Sequence, residues 1–383
     1  MLPVLSLPAG APKTRNNPVK TLLVFRKANQ GLRDGLSAVV QIGDTLWVAN
    51  DETLSLERLA LVDRAGAKGL EYAEHETFPL EPLLALPVVP RAGKGLVEAD
   101  IEGLDHDSAK GYLWLVGSHS LKRKKPDSDK SLGKNIERLA NVGSDGNRYL
   151  LARLPVVEQD GSFTLVRGAT EDGRTAAQLQ GDQSGNELTQ ALKDDKHLKD
   201  FLHIPGKDNG FDIEGLAVVG ERLFIGLRGP VLRGWSIILE LEPKDAPDAP
   251  HTFSLGKIGP QGRPYRKHFL QLGGLGIRDL CVQGDDLLIL AGPTMDLDGP
   301  VTVMRWPNGA RPPGESLVFN EQLCKVLDVP YGQGADHAEG MTLLQVKAMH
   351  EPSLLVVYDA AAEGRKQGES AVKVDVFQLP ASE

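Results

Sequence analysis

The chain has 383 residues, of which 41% are hydrophobic and 25% charged, with a formal net charge of −9 and two cysteines. This is the composition of a globular protein with one large repeat domain or two ordinary ones, and its acidity argues against generic nucleic-acid binding, where phosphate contacts supply most of the affinity. No apolar run reaches about 18 residues, so a membrane span is excluded and no membrane partner is expected.

In chain order, the apolar Met1-Leu-Pro-Val-Leu-Ser-Leu-Pro-Ala-Gly10 is too short for a secretory segment, is broken by Pro3 and Pro8, and reads as a leading arm. Val19 to Phe25 reads as a strand with no hairpin of its own. A segment then recurs five times: Gly35-Leu-Ser-Ala-Val39, Asp100-Ile-Glu-Gly-Leu104, Asp212-Ile-Glu-Gly-Leu216, Gly276-Ile-Arg-Asp-Leu280 and His337-Ala-Glu-Gly-Met341. Ser37, Glu102, Glu214, Arg278 and Glu339 are thereby equivalent positions. Three copies turn at Gly43-Asp44, Gly220-Glu221 and Gly284-Asp285 and restart at Leu46, Leu223 and Leu287. The other two carry longer turns, Asp105 to Gly111 and Gln345 to Pro352, as insertions into a hairpin loop should.

About 60 residues with four short strands per copy is the pattern of a propeller blade. We therefore expect an all-β, five-bladed β-propeller forming a single domain over residues 1–383. The last copy ends one strand short after Val372-Lys-Val-Asp-Val-Phe377, so the N-terminal strand should pair with it and close the ring. The interval from Glu102 to Glu214 is nearly twice the others, and apolar spacings of three and four within 168–210 predict a helical insertion there. The alternative is a sixth blade starting at Arg153 to Val157 and pairing with Phe163 to Val166.

The basic run Lys122-Arg-Lys-Lys125 reads as a solvated loop that could capture an anion. Cys281 and Cys324 lack metal-ligand spacing and any C-x-x-C pairing, which suits buried thiols in the cytoplasm. Trp47, Trp114 and Phe224 share the second-strand register and are expected to pack between blades. No dinucleotide fingerprint, P-loop, H-E-x-x-H or G-x-S-x-G motif occurs.

In a propeller the first strand of each blade lines the axis, and the end of the second strand lies on the same rim. Asp51, Ser118 beside His119, Arg228, Gly292 and Asp359 should thus join the five equivalent residues. Three axial glutamates raise one another's pKa and need a counter-charge. Arg278 could supply it as an internal ion-pair plug, or a Ca²⁺ ion could, bound by Ser37, Glu102, Glu214 and Glu339. Candidate catalytic residues are Glu102, Glu214, Glu339, His119 and His337. Candidate ligand contacts are Arg228, Arg278, Asp51 and Asp359, with Arg233 nearby.

Asp212 to Pro230, Gly276 to Leu280 and His337 to Met341 resemble a bacterial propeller-superfamily family known only as a domain of unknown function, from about Leu22 to Gln378. More distantly, Leu36-Ser-Ala-Val-Val and Leu46-Trp-Val-Ala-Asn-Asp51 are similar to the first blade of the five-bladed calcium-dependent apyrases. That likeness implies an axial Ca²⁺ on Ser37, Glu102, Glu214 and Glu339 and a nucleotidase activity; Arg278 departs from it, since the family carries an uncharged oxygen ligand there. Two readings follow. One is a hydrolase of phosphorylated or other anionic small molecules, acting on a phosphoester or anhydride and assisted by calcium. The other is a non-catalytic scaffold for a protein partner, its axial charges a structural plug.

Overall fold

The computed structural model describes residues 18–26, 30–62, 69–89, 98–159, 161–246, 248–346 and 352–379. The leading arm and much of the Gln345 to Pro352 turn lie outside the described residues.

The strands form hydrogen-bonded sheets of nine, seven, five and four strands and two short ladders. Runs of antiparallel neighbours within them, each led by an inner hairpin, follow one another along the chain as successive sheets. The first comprises Leu36–Ile42, Thr45–Asn50, Ser55–Val62 and Glu71–Pro79; the second Ile101–Asp107, Tyr112–Gly117, Leu151–Gln159 and Ala177–Leu179. The third comprises Asp212–Val219, Arg222–Gly229, Trp235–Leu241 and Arg266–Gln271; the fourth Gly276–Gln283, Asp286–Gly292, Val301–Trp306 and Cys324–Val329. The last joins His337–Leu344, Ser353–Asp359 and Ala371–Gln378 to the N-terminal strand Val19–Val24. Each leading strand packs beside the leading strands of two other sheets, and that of the last sheet lies beside that of the first, so the succession closes on itself as a β-propeller.

Local chemistry explains the hairpins. Gly43, Gly220 and Gly284 hold φ of 57°, 58° and 62° in two-residue turns, a region that side chains with a Cβ avoid. Burial then fixes the packing in five layers between neighbouring sheets. Trp47 and Phe78 of the first sheet meet Leu115 and Leu154 of the second; Trp114 meets Ile213 and Phe253; Phe224 meets Ile277 and Trp306. The remaining layers join Leu288 to Val356 and Val48 to Leu355. Each large apolar side chain withdrawn from water contributes on the order of 1.5–3 kcal/mol, so the ring holds together through faces rather than edges.

The termini pair as expected, Val19 opposite Val376 through Val24 opposite Ala371. Leu22 and Leu23 also pair in parallel with Glu71 and Tyr72, fastening the closing strand to the first sheet. Two segments cross to a neighbouring sheet in the same manner. Thr252–Leu255 pairs in parallel with Ala177–Leu179, and Ser316–Val318 with Arg266–Gln271. These outer edges are therefore covered by the following sheet's chain, which removes free strand edges.

The 168–210 segment departs from expectation. Its only α-helix is Glu187–Leu192, accompanied by short 3-10 turns, while Ala177–Leu179 completes the second sheet. The three-and-four spacing reflects side chains such as Leu188, Leu192 and Leu198 buried against that sheet and the next, not a continuous helix. Leu151–Gln159 pairs with Tyr112–Gly117 and also with Ser162–Leu165, which folds back on it as the alternative reading expected. Lys122–Arg123, within the basic run expected as a solvated loop, pairs instead with Val142–Gly143, and the helix Leu132–Ala140 stands between the two halves of this short ladder. Both cysteines are free; Cys324 is exposed because it begins an outer strand.

Candidate functional site

The repeated segment encodes a β-bulge. In all five inner hairpins the strand pairing slips at the equivalent residue: between Leu36 and Ala38, Ile101 and Gly103, Ile213 and Gly215, Ile277 and Asp279, and Ala338 and Gly340. Ser37, Glu102, Glu214, Arg278 and Glu339 are the extra residues, and a bulge bends its strand and re-aims the side chain that carries it. The glycine that follows has its own cause. A Cβ on Gly103 would stand 2.8 Å from Leu216 Cβ, and one on Gly340 would stand 2.9 Å from Ala38 Cα, so adjacent leading strands pass too closely for a side chain.

The axis is a network of ion pairs. Arg278 Nε lies 3.0 Å from Glu214 Oε2, and its Nη2 contacts Glu339 Oε1. Arg228 Nη1 lies 2.7 Å from Glu214 Oε1, and its Nη2 contacts Asp212 Oδ2. A third guanidinium, absent from the sequence reading, completes the set. Arg148 pairs with Asp100 at 2.7 Å and Glu98 at 3.1 Å and donates to Ser118 and Ser120 Oγ. It comes from the 3-10 turn Gly146–Tyr149, outside the repeat, so no register points to it.

The four residues read as calcium ligands do not converge as a ligand set. The Ser37 hydroxyl donates to the Ile101 carbonyl at 2.6 Å, both Glu214 oxygens face arginines, and Glu339 is held by Arg278. Among the described residues no group of three or more His, Cys, Asp or Glu side chains is arranged to hold a metal ion. The arrangement is that of the ion-pair plug, in which the guanidiniums supply the charge that buried carboxylates require.

Among the described residues Glu102 and Asp51 enter no ion pair, while Asp359 stands 4.0 Å from His337 Nδ1. All three line a cleft of about 790 Å³ together with Arg148, Arg228 and Lys207. Gly35 pairs with Asp359, and Asp51 lies against the same glycine, which brings the first and last sheets together on this rim. Burial raises the Glu102 carboxyl well above the usual range, and the charges of Asp100, Glu214 and Glu339 push it further. Asp51 is pushed up to about 7 by burial and by Asp359 and Asp100. Glu98, Lys122, Lys124 and Lys125 form part of the wall farther out.

The two histidines sit in different settings. His119 is buried, its Nδ1 2.7 Å from the Gly117 carbonyl and its Nε2 2.6 Å from Asn186 Nδ2, and burial lowers it to about 4. Nδ1–H therefore donates to Gly117 and Nε2 accepts from Asn186, the cap of the helix Glu187–Leu192. His119 is an anchor for that helix, outside the cleft. His337 is half-buried, 3.0 Å from Asp298 Oδ1, and borders a smaller cavity of about 40 Å³ beside Arg278 and Glu339. Arg233 is exposed on its loop. Gly292 packs its backbone on the Arg278 side-chain stem, which steadies that guanidinium.

A profile of the family described as "Protein of unknown function (DUF3616)" matches residues 35–375. The chain belongs to this family. A search of curated proteins returned no match. Among solved structures, a glutaminyl cyclase from Myxococcus xanthus is similar at 9% identity and a TM-score of 0.39, over 95% of this chain and all of that one. A xylan β-1,4-xylosidase from Bacillus halodurans is similar at 11% identity and a TM-score of 0.37, over 94% of this chain and 55% of that one. A GH43 protein from Bacillus licheniformis is similar at 9% identity and a TM-score of 0.34, over 94% of this chain and 59% of that one. Likeness of this degree carries no argument about chemistry, and the distant apyrase likeness finds no support in these matches.

Proposed function

We propose that this DUF3616 protein is a hydrolase whose axial cleft works by acid–base catalysis on a hydroxyl-bearing, phosphorylated or otherwise anionic small molecule. One observation carries the reading. Arg148, Arg228 and Arg278 are each held by carboxylates, whereas Glu102 and Asp51 line the cleft with raised pKa and enter no ion pair among the described residues. Two carboxyls whose surroundings hold them at different pKa values divide the acid and base roles between them. Glu102, raised by desolvation and the neighbouring carboxylates, is the acid that donates its proton to the leaving oxygen. Asp51, ionised above about 7, takes a proton from the attacking water, whose oxygen forms the new bond.

The anionic part of such a substrate would meet cations at the mouth rather than the axis. Arg228 is committed to Asp212 and Glu214, so Lys124, Lys125 and Lys207 take the role first expected of it. Calcium has no step in this reading. A panel of phosphorylated and carboxylated sugars and nucleotides, assayed with the parent protein, Glu102→Gln and Asp51→Asn, tests it. We expect turnover of at least one class and a fall of about 10²–10⁴ in each variant. Turnover unchanged in both variants, or a silent panel, overturns it.

A second reading, a non-catalytic scaffold, is favoured by the saturation of Arg148, Arg228 and Arg278. Under it, Glu214→Gln lowers the melting temperature and no compound of the panel raises it for either protein.

A further inference from the structure

The helix Leu132–Ala140 has no buried residue. Leu132, Ile136 and Leu139 recur at i, i+4 and i+7 on one face and are 78%, 61% and 46% exposed. Val142 adds a fourth exposed apolar side chain just beyond the helix. Scattered exposed leucines need no explanation, but an aligned stripe on a helix that contributes nothing to the core is a surface made for contact.

The charge around the stripe is the reverse of the protein's own. Residues 122–138 carry seven Lys and Arg against three Asp and Glu, on a chain whose net charge is −9. Lys122 contacts Glu98, Arg123 pairs with Asp208 at 2.7 Å and Lys130 contacts Asp127, while no ion pair is found for Lys124, Lys125 or Lys134 among the described residues. The Arg138 guanidinium donates to the Lys125 carbonyl at 2.6 Å, which fixes the helix on the basic strand. Leu139, Asn141, Gly143 and Lys122 to Pro126 are also part of the cleft wall. Apolar stripe, unpaired lysines and cleft mouth are therefore one continuous surface.

We propose that residues 122–143 seat the protein on an anionic phospholipid surface, with the apolar stripe entering the headgroup boundary and the lysines meeting lipid phosphates, so that the axial cleft opens toward the membrane face. A short amphipathic helix with basic flanks binds such a surface through buried apolar area and attraction to anionic headgroups together. A surface complementary in charge alone would satisfy the lysines and leave the stripe in water. The absence of a membrane-spanning segment does not bear on contact of this kind. For its substrate the inference rests on the proposed hydrolase reading: the molecule entering the cleft would be the anionic headgroup of an amphiphile.

Co-sedimentation with phosphatidylcholine vesicles, with and without phosphatidylglycerol, tests it on the full chain. We expect binding only when phosphatidylglycerol is present, loss of binding in L132D/I136D, and roughly fivefold weaker partition for each lysine replaced in K124A/K125A. Since neither Leu132 nor Ile136 is buried, both variants should keep the parent melting temperature, and Glu102→Gln should bind vesicles as the parent does. No binding, equal binding to neutral vesicles, or full binding by L132D/I136D overturns the proposal. So does a concentration-dependent dimer that L132D/I136D abolishes. If vesicle binding holds while no headgroup is hydrolysed, the surface stands and the assignment of an amphiphile's headgroup as substrate fails; the hydrolase reading itself fails only if the soluble panel is silent as well.

Discussion

Arg278 Nε stands 3.0 Å from Glu214 Oε2, although the two residues occupy the same position in successive repeats. One copy of a recurring acidic site has thus become the counter-ion of its neighbour, and the same guanidinium reaches Glu339 in the next sheet.

Arg278→Met should be strongly destabilising. It leaves Glu214 and Glu339 with one guanidinium fewer in a buried setting, and breaking a buried pair by removing one partner costs about 3–5 kcal/mol. Urea unfolding at pH 7 measures this. Adding Glu339→Gln should recover part of the loss, and a double variant no better than the single would show that the pair does not act as a unit.

The pH dependence of stability should carry the mark of Asp51. Its folded pKa, about 7, lies above the ordinary value, so the folded state holds a proton that the unfolded chain releases. The stabilisation is complete below the unfolded pKa near 4 and is lost as pH rises through about 7. Asp51→Asn should therefore gain on the parent by roughly 1–3 kcal/mol between pH 5 and pH 8, a range that allows for its partial exposure. Parallel urea midpoints across that range would refute the raised pKa.

Catalysis should follow the same group in the opposite sense. With Asp51 as base, kcat/KM rises as pH increases through about 7, and that limb vanishes in Asp51→Asn.

His119→Ala should cost stability and leave chemistry alone. It removes the acceptor for Asn186 Nδ2 and leaves a void beside Tyr149, a loss of about 1–3 kcal/mol. Because burial holds His119 near 4, well below the ordinary histidine value, its stabilisation is present at neutral pH and is lost as pH falls from about 6.5 toward 4. Any turnover found for the parent should persist in the variant under conditions where both are folded.

Two glycines should respond oppositely to alanine. In Gly340→Ala the new Cβ meets Ala38 Cα at 2.9 Å and Val39 N at 3.0 Å, backbone that cannot step aside, and the melt should report a loss of about 1–3 kcal/mol. Gly133, in the exposed helix, has nothing within 4 Å, so Gly133→Ala should be neutral or gain up to about 1 kcal/mol.

Much of the architecture was legible because it is written in short-range signals. Gly-Asp and Gly-Glu turns, alternating apolar strands and the Glu-Gly pair each act within a few residues, and five copies in register located the leading strands, the axial side chains and the pairing of the termini. Apolar spacing over 168–210 overstates the helix because Leu188 and Leu192 belong to a six-residue helix while Leu179 and Leu198, buried in the same cluster, lie in strand and loop; Leu132–Ala140 gives little signal because its flanking charges resemble a solvated loop.

The sequence by itself determined which residues face the axis, since register and turn chemistry are local. Only the tertiary structure decided what they do there. Charge pairing acts through space between residues distant in sequence, 48 positions for Arg148 and Asp100, so nothing local could show that Arg148 would join the rim. Nor could it show that His119 would be neutral and structural, or that Glu102 and Asp51 would be the carboxylates left open while Glu214 and Glu339 were neutralised.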